Sequence, residues 1–131
     1  RLVPDQATRN RIRLSTQRPV YVTHDESEIP AIVEQGRWNM RVTLSLRQGL
    51  QRVEEGRAVA VPFDNEPSDE DLLEKYFVVG TPETCIKRIQ ALRDAMGIDH
   101  FNGSFWFGDL SHEKVLSSMR LFHEEVMPAF Q

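Results

Sequence analysis

Residues 76–97 read YFVVGTPETCIKRIQALRDAMG and predict a strand, a turn and a helix in succession. The opening run, Tyr76–Val79, is short and wholly apolar, which is typical of a strand buried on both faces of a parallel sheet. Gly80 ends that strand. Thr81 as N-cap, with proline and glutamate after it, is a strong helix start. Gly97 is well placed to end the helix in a left-handed conformation.

The predicted helix has an apolar stripe at Cys85, Ile89, Leu92 and Met96, which indicates one buried face. Cys85 lies on that stripe, and no cationic residue stands directly beside it in the sequence. A buried structural thiol therefore explains it better than a nucleophile does.

Upstream, the sequence predicts a strand followed by helices. Because proline is tolerated at a strand start, the strand proper is expected to begin near Val20, after Pro19. Asp25 can cap a helix that Gly36 ends or kinks. A second helix is expected from Arg37 to Gln48, with an apolar stripe at Trp38, Val42 and Leu46.

Residues 49–75 are predicted to be a loop or insertion, with a possible short strand at Val59–Val61. Six carboxylates fall between Asp64 and Glu74, where Ser68 can cap a short acidic helix. Their spacing does not match a calcium-binding EF-hand loop, so a solvated face is expected and no metal site is assigned.

Downstream, Ile98–Phe107 is the next expected strand, and Gly103 within it indicates a bulge or a close backbone approach. A final helix is expected from His112 until Pro128 stops it. Its predicted buried face consists of Val115, Met119, Phe122 and Val126. We expect the strands that hold Val78 and Phe105 to be parallel neighbours.

Strands that alternate with helices predict an α/β fold with βαβ units and a parallel sheet. About three such units do not close an eightfold barrel, which takes about 250 residues. The 131 residues are therefore a single domain with an open sheet, or a fragment of something larger. The chain begins with Arg1 rather than methionine, which favours the fragment.

Composition excludes several classes of protein. The net charge of −4 argues against general nucleic-acid binding, and no apolar run is long enough to cross a membrane. The single cysteine rules out an internal disulfide and a cysteine-based zinc site, and it fits a cytoplasmic location. Residues 1–52 carry nine basic and five acidic side chains. This excess indicates either a differently solvated face or a surface that meets an anion such as a flavin phosphate.

Three blocks of the sequence resemble one known family. The stretch FVVGTPETC, Phe77–Cys85, resembles the late strand-to-helix turn of the bacterial luciferase-like flavin-dependent monooxygenases. The stretch MGIDH, Met96–His100, is similar to the start of that family's last barrel strand. The stretch SMRLFHEEVMP, Ser118–Pro128, resembles its closing helix. A weaker resemblance covers residues 12–35, which suit the sixth βα unit.

The resemblance implies the C-terminal part of a TIM-type (α/β)8 barrel, roughly units 6 to 8. It also implies that the whole protein is an enzyme that oxidises a small organic substrate with oxygen and reduced FMN, supplied by a flavin reductase. One alternative is an oxidoreductase on the same barrel that uses flavin or a deazaflavin without oxygenation. Another is a non-catalytic, self-associating half-barrel. We expect the 131-residue chain to be inactive alone and to form homo-oligomers, because open strand edges invite association.

No catalytic residue of the family can be matched to this sequence, so candidate site residues come from position alone. Working groups of a barrel lie at the C-terminal ends of its strands. That position selects His24, Gly80 and Thr81 as residues that bind cofactor or line the substrate site. It also selects the aromatic strand end Trp106–Phe107–Gly108. The competing explanations are that these residues form a turn, cap a helix or fill the core.

Overall fold

The computed structural model describes Asp5 and residues 11–131. The strands are β1 (Ser15–Val22), β2 (Arg52–Glu54), β3 (Arg57–Val59), β4 (Val78–Gly80) and β5 (His100–Ser104). The helices are α1 (Ile29–Arg47), α2 (Asp69–Asp71), α3 (Pro82–Met96) and α4 (His112–Leu121). A 3₁₀ turn (Glu26–Glu28) precedes α1, and a π-helical segment (Leu72–Tyr76) continues α2. A π-helical segment (Phe122–Val126) and a 3₁₀ turn (Met127–Phe130) continue α4.

Three of the strands form one parallel sheet in the order β4-β1-β5. Val20–Val22 of β1 pair with β4, in the register Val20 to Val78. The first half of β1 pairs with β5, from Ser15 opposite His100 to Pro19 opposite Ser104. The predicted α/β class with parallel strands is therefore confirmed.

The predicted adjacency of the strands holding Val78 and Phe105 is wrong. β1 lies between β4 and β5, and Phe105 follows the end of β5. In a barrel slice, successive strands are neighbours, so this order is that of an open sheet. The connection from β4 to β5 passes back across β1. Because such crossovers are right-handed, its helix, α3, lies on the opposite face of the sheet from α1.

The two faces of the sheet carry separate cores. On one face Tyr21 and Val79 pack with Ile32 and Val33 of α1. On the other face Val20, Val22 and Val78 pack with Cys85 and Ile89 of α3. This alternation along β1 buries both faces of a central strand. Helices thus cover both faces, whereas a barrel has helices only outside.

β1 begins at Ser15, not near Val20 as predicted. Pro19 lies where the strand changes its pairing partner, between the half that pairs with β5 and the half that pairs with β4. A proline has no N–H to donate to a ladder. Pro19 is therefore tolerated in a central strand because it lies where the strand changes partner.

α1 is one continuous helix, so the two helices predicted around Gly36 are wrong. A Cβ on Gly36 would lie 2.5 Å from the Cε2 and Cζ atoms of Phe77. The glycine therefore permits close contact between α1 and the residue before β4. The predicted stripe of Trp38 and Leu46 faces outward, with 40% and 59% of these residues exposed.

The predicted loop at residues 49–75 contains a hairpin of β2 and β3. Glu55 and Gly56 have φ values of 50° and 78°, as a tight primed turn between two strands requires. The possible strand at Val59–Val61 extends only to Val59. Ser68 caps α2 by accepting a hydrogen bond from the Asp71 N–H at 3.1 Å, as predicted.

The helix start at Thr81 and the stop at Gly97 are confirmed. Thr81 Oγ1 accepts a hydrogen bond from the Thr84 N–H at 3.3 Å, and Gly97 has φ 62° and ψ 37°. Cys85 and Ile89 are buried as the stripe predicted, whereas Met96 is 48% exposed, which contradicts its place on the buried face.

β5 is shorter than predicted, and Gly103 makes a close approach rather than a bulge. The pairing of β5 with β1 is continuous, and a Cβ on Gly103 would lie 3.1 Å from Val20 Cγ2. In the last helix Val115 and Val126 are buried as predicted. Met119 is 45% exposed, which contradicts its prediction. Helical backbone also continues past Pro128 to Phe130.

Candidate functional site

The carboxyl ends of β1, β4 and β5 lie at one end of the sheet because the three strands are parallel. The Thr23 N–H donates to the Gly80 carbonyl at 3.0 Å and joins two of these ends. Ligands of open α/β sheets bind at this end, beside the point where the strand order reverses. This carboxyl edge is therefore the candidate site.

Glu28 is the centre of a polar cluster at the carboxyl edge. Its Oε2 accepts hydrogen bonds from the Tyr21 hydroxyl at 3.2 Å and the Thr23 hydroxyl at 3.0 Å. Its Oε1 accepts from Lys114 Nζ at 2.6 Å. The cluster therefore ties the end of β1 to the start of α1 and the start of α4.

Two groups of this cluster, Glu28 and Tyr21, have shifted pKa values. The hydrogen bond from Lys114 is the main cause that holds the pKa of Glu28 below its usual value, so the carboxylate is ionised. Burial, assisted by the charge of Glu28, raises the pKa of Tyr21 to about 12, so its hydroxyl remains a donor. Glu28 therefore acts as the shared acceptor for Tyr21, Thr23 and Lys114.

The sequence analysis missed this cluster. Tyr21 and Thr23 share one face of β1, since side chains two residues apart in a strand point the same way. That alternation was readable in the sequence. Lys114 lies 86 residues from Glu28, and no local pattern indicates a contact over that separation.

His24 and Trp106 lie at the carboxyl edge with exposed side chains. His24 Nε2 is 2.9 Å from Glu125 Oε1, and its side chain is 62% exposed. Trp106 is 67% exposed, and its ring centroid is 6.4 Å from that of His112. Of the predicted site residues, these two have exposed side chains.

Phe107 does not line the edge, which corrects its prediction. It is buried, and its ring stacks on Phe77 with 6.4 Å between centroids. Gly108 has φ 62°, and a Cβ there would collide with Gln35. The next N–H, of Asp109, donates to Gln35 Oε1 at 2.6 Å. Phe107 thus fills the core, and Gly108 makes a turn against α1.

Gly80 and Thr81 have structural roles in the turn between β4 and α3. The Gly80 carbonyl accepts from Thr23, and a Cβ on Gly80, whose φ is 152°, would lie 3.0 Å from Thr84 Cγ2. Thr81 caps α3.

Burial raises the pKa of the Cys85 thiol to about 12, and its sulfur is 3.6 Å from the Gly80 carbonyl. Cys85 is therefore a buried packing group.

The carboxyl edge does not fit a flavin on its own. In the described part of the chain, a cavity of about 730 Å³ beside Gly108 is lined by Glu34, Asp109 and one cation, Arg57, which is a poor charge balance for a phosphate. Lys114 is already occupied by Glu28. Within residues 11–131 no cluster of three histidine, cysteine or acidic side chains is arranged to hold a metal.

Comparison with known proteins leaves the family open. No protein-family profile matches the chain. It is 22% identical over 119 residues to an uncharacterized protein, y4vJ, of Sinorhizobium fredii (strain NBRC 101917 / NGR234). The match covers 91% of this chain and 34% of that protein, so the chain spans about a third of its relative's length. In the part of the chain that the structure describes, no helix is both long and apolar enough to cross a membrane.

Proposed function

We propose that this chain is the C-terminal part of a luciferase-like flavin-dependent monooxygenase, which oxidises a small organic substrate with reduced FMN and oxygen. The observation that carries the proposal is the turn after β4. There Gly80 ends a buried strand, Thr81 caps α3, and Pro82 opens the helix. These are the residues on which the resemblance depends, and they stand in the strand-to-helix context that it requires.

The barrel is part of this proposal. β1 and β4 are a parallel pair, and their connecting helix, α1, packs on one face of the sheet. Two successive barrel units would have the same arrangement. β5 occupies the outer edge of β1, which in a barrel belongs to the preceding strand. We infer that a preceding strand of a longer polypeptide takes this edge and that β5 then pairs beside β4.

The chain alone lacks oxygenase activity under this proposal. A peroxyflavin must be shielded from water, whereas Trp106 is 67% exposed here and the nearby cavity is acidic. The remaining walls and the phosphate site would come from the rest of the enzyme, and a flavin reductase would supply the reduced cofactor.

The test compares the isolated chain with the full-length gene product. Each is given reduced FMN, oxygen and a panel of aldehydes and alkanes, and oxygenated product is measured. We expect product from the full-length protein and none from the isolated chain. Turnover by a monomeric chain, or a full-length protein that neither binds FMN nor oxidises any of the panel, contradicts the proposal. Turnover with a reduced deazaflavin but not FMN would assign the non-oxygenating alternative.

A second candidate, a self-associating segment without catalysis, is favoured by exposed apolar side chains. Trp38, Leu46, Leu50 and Val53 are 40% to 62% exposed along α1 and the hairpin. Sedimentation of the pure chain tests it: L46K should release monomer, whereas M127K, a matched change at another exposed apolar residue, should not. Equal behaviour of the two variants would reject this surface.

A further inference from the structure

A second cavity, of about 630 Å³, lies at the amino end of the sheet. It is an open cavity bordered by the middle of β1, the second half of α1 and the residues that lead into β4. Cavities that bind small molecules commonly have volumes of about 300–1,000 Å³. This amino-edge cavity is therefore large enough for a small organic ligand, and it lies away from the carboxyl edge.

Among the residues that the structure describes, the amino-edge cavity is lined by three cations, Arg18, Arg47 and Lys75, and by no carboxylate. In a chain of net charge −4 this lining is a local reversal of sign. Lys75 forms an ion pair with Asp71. Among the described residues Arg47 has no ion-pair partner, so part of this positive charge is unbalanced.

Arg18 adds an unused donor. Its Nη1 donates to Thr16 Oγ1 at 2.6 Å and to the Gln17 carbonyl at 2.8 Å. Its Nε is buried and has no hydrogen-bond partner in the described part of the chain. Because Nε is closed off from solvent, the group of Arg18 that remains for a ligand is Nη2, which has no hydrogen bond among the described residues.

Two acidic residues close in sequence to the lining residue Pro67 pair with other arginines. Glu66 accepts both the Nε and Nη2 hydrogen bonds of Arg41, each at 2.7 Å. Asp69 pairs with Arg37. These carboxylates therefore do not neutralise Arg18 or Arg47.

Aromatic rings complete the cavity. Phe63, Tyr76 and Phe77 line it. Gly36 lets the Phe77 ring lie directly against α1, since any Cβ there would touch it. Rings beside cations suit a ligand with a planar body and an anionic end.

We propose that the amino-edge cavity binds a small organic phosphate. Its planar ring lies beside Phe63 and Tyr76, and its phosphate faces Arg18 and Arg47. Arginine suits this role because its fork of N–H groups matches phosphate oxygens in pairs. The proposal concerns the opposite end of the sheet from the carboxyl edge and does not depend on the proposed flavin chemistry.

Titration followed by backbone amide NMR tests the site, with adenosine monophosphate, adenosine and inorganic phosphate as separate probes. We expect saturable shifts with adenosine monophosphate at Gly36, Thr43 and Phe77. Adenosine and phosphate should each bind at least about tenfold more weakly. Shifts centred on the carboxyl edge, no saturable binding of the nucleotide, or equal binding of inorganic phosphate would each overturn the proposal.

Two charge-reversal variants distinguish binding in the cavity from attraction by the net charge of the protein. R47E should weaken nucleotide binding by at least about tenfold. R120E changes the net charge equally on the exposed surface of α4, outside this cavity, and should leave the affinity within about twofold. Circular dichroism melting confirms that both variants fold. Equal weakening by both variants would show that only net charge attracts the nucleotide and would reject the site.

Discussion

At the scale of single residues, two small side chains set how closely the layers approach. Gly36 lies against the Phe77 ring without a Cβ between them. Ser118, which is buried, accepts a hydrogen bond from the Val22 N–H at 2.9 Å. Neither residue belongs to the apolar pattern of its helix, yet each makes a contact that a larger or apolar side chain would lose.

Gly36→Ala should destabilise the protein by about 1–3 kcal/mol, because the new methyl group overpacks against Phe77. In an exposed helix interior the same change usually stabilises by about 0.5–1 kcal/mol, so the sign is diagnostic. Urea unfolding measures the difference.

A double-mutant cycle with F77L isolates the contact. In the F77L background the cost of G36A should shrink, since the ring that collides with the methyl group is gone. An unchanged cost in that background would mean that the collision is not the cause.

Ser118→Ala should cost about 1–3 kcal/mol in the free energy of unfolding, because the buried Val22 N–H loses its acceptor. Ser117→Ala, on the exposed side of the same helix, should change that free energy by less than about 0.5 kcal/mol. Chemical denaturation of both variants gives the comparison, and similar losses would contradict the assigned hydrogen bond.

At the scale of elements, Glu28 joins α1 to α4, and helix caps fix where helices begin. The pKa of Glu28 is held below its ordinary value of 4.5, mainly by Lys114. A carboxyl group whose pKa is lower in the folded state stabilises the fold above its unfolded pKa and loses this effect as pH falls. The contribution of the Glu28–Lys114 contact to the free energy of unfolding therefore decreases at acidic pH.

Stability should fall as the pH drops through and below about 4.5, and E28Q should flatten that part of the profile. E26Q, at the exposed neighbouring carboxylate, should keep the wild-type slope. Urea unfolding at a series of pH values measures both. If E28Q kept the wild-type slope, other carboxylates would carry the acid sensitivity.

Thr81→Ala should cost about 1 kcal/mol, because the first turn of α3 loses its cap, and Thr81→Ser should restore most of it. Thermal melting follows the change. The serine variant also separates roles: a cap needs only the hydroxyl, which both side chains supply. Loss of stability in T81S equal to that in T81A would exclude capping as the main role of Thr81.

At the scale of the whole molecule, the sheet order β4-β1-β5 and helices on both faces define an open sheet. The isolated chain should therefore show amide contacts by NMR between Thr16 and Phe101, which face each other in the β1–β5 ladder. Contacts between β4 and β5 in place of these would contradict the open sheet and favour the order of a barrel. The full-length protein, under the proposed function, should show that barrel order.

Local signals predicted much of this fold correctly. The cap at Thr81, the stop at Gly97 and the buried run before Gly80 depend on neighbours within a few residues, so their chemistry can be read in the chain. These features gave the parallel α/β class.

The placement of elements relative to one another depended on tertiary contacts. Gly36 looked like a helix end, because nothing near it in sequence indicates that Phe77, 41 positions later, needs the space. Trp38 and Leu46 form a regular apolar stripe, yet the buried face is the one that meets the sheet.

The same distinction holds at the candidate site. His24 and Trp106 lie at the carboxyl edge because each follows a strand in the sequence, whereas Phe107 turns inward to Phe77. The Glu28–Lys114 pair joins residues that are remote in sequence. Local hydrogen bonds and dihedral preferences act over a few residues and can be read from the chain. Strand order and side-chain partners depend on which surfaces meet after folding, so the tertiary structure decides them.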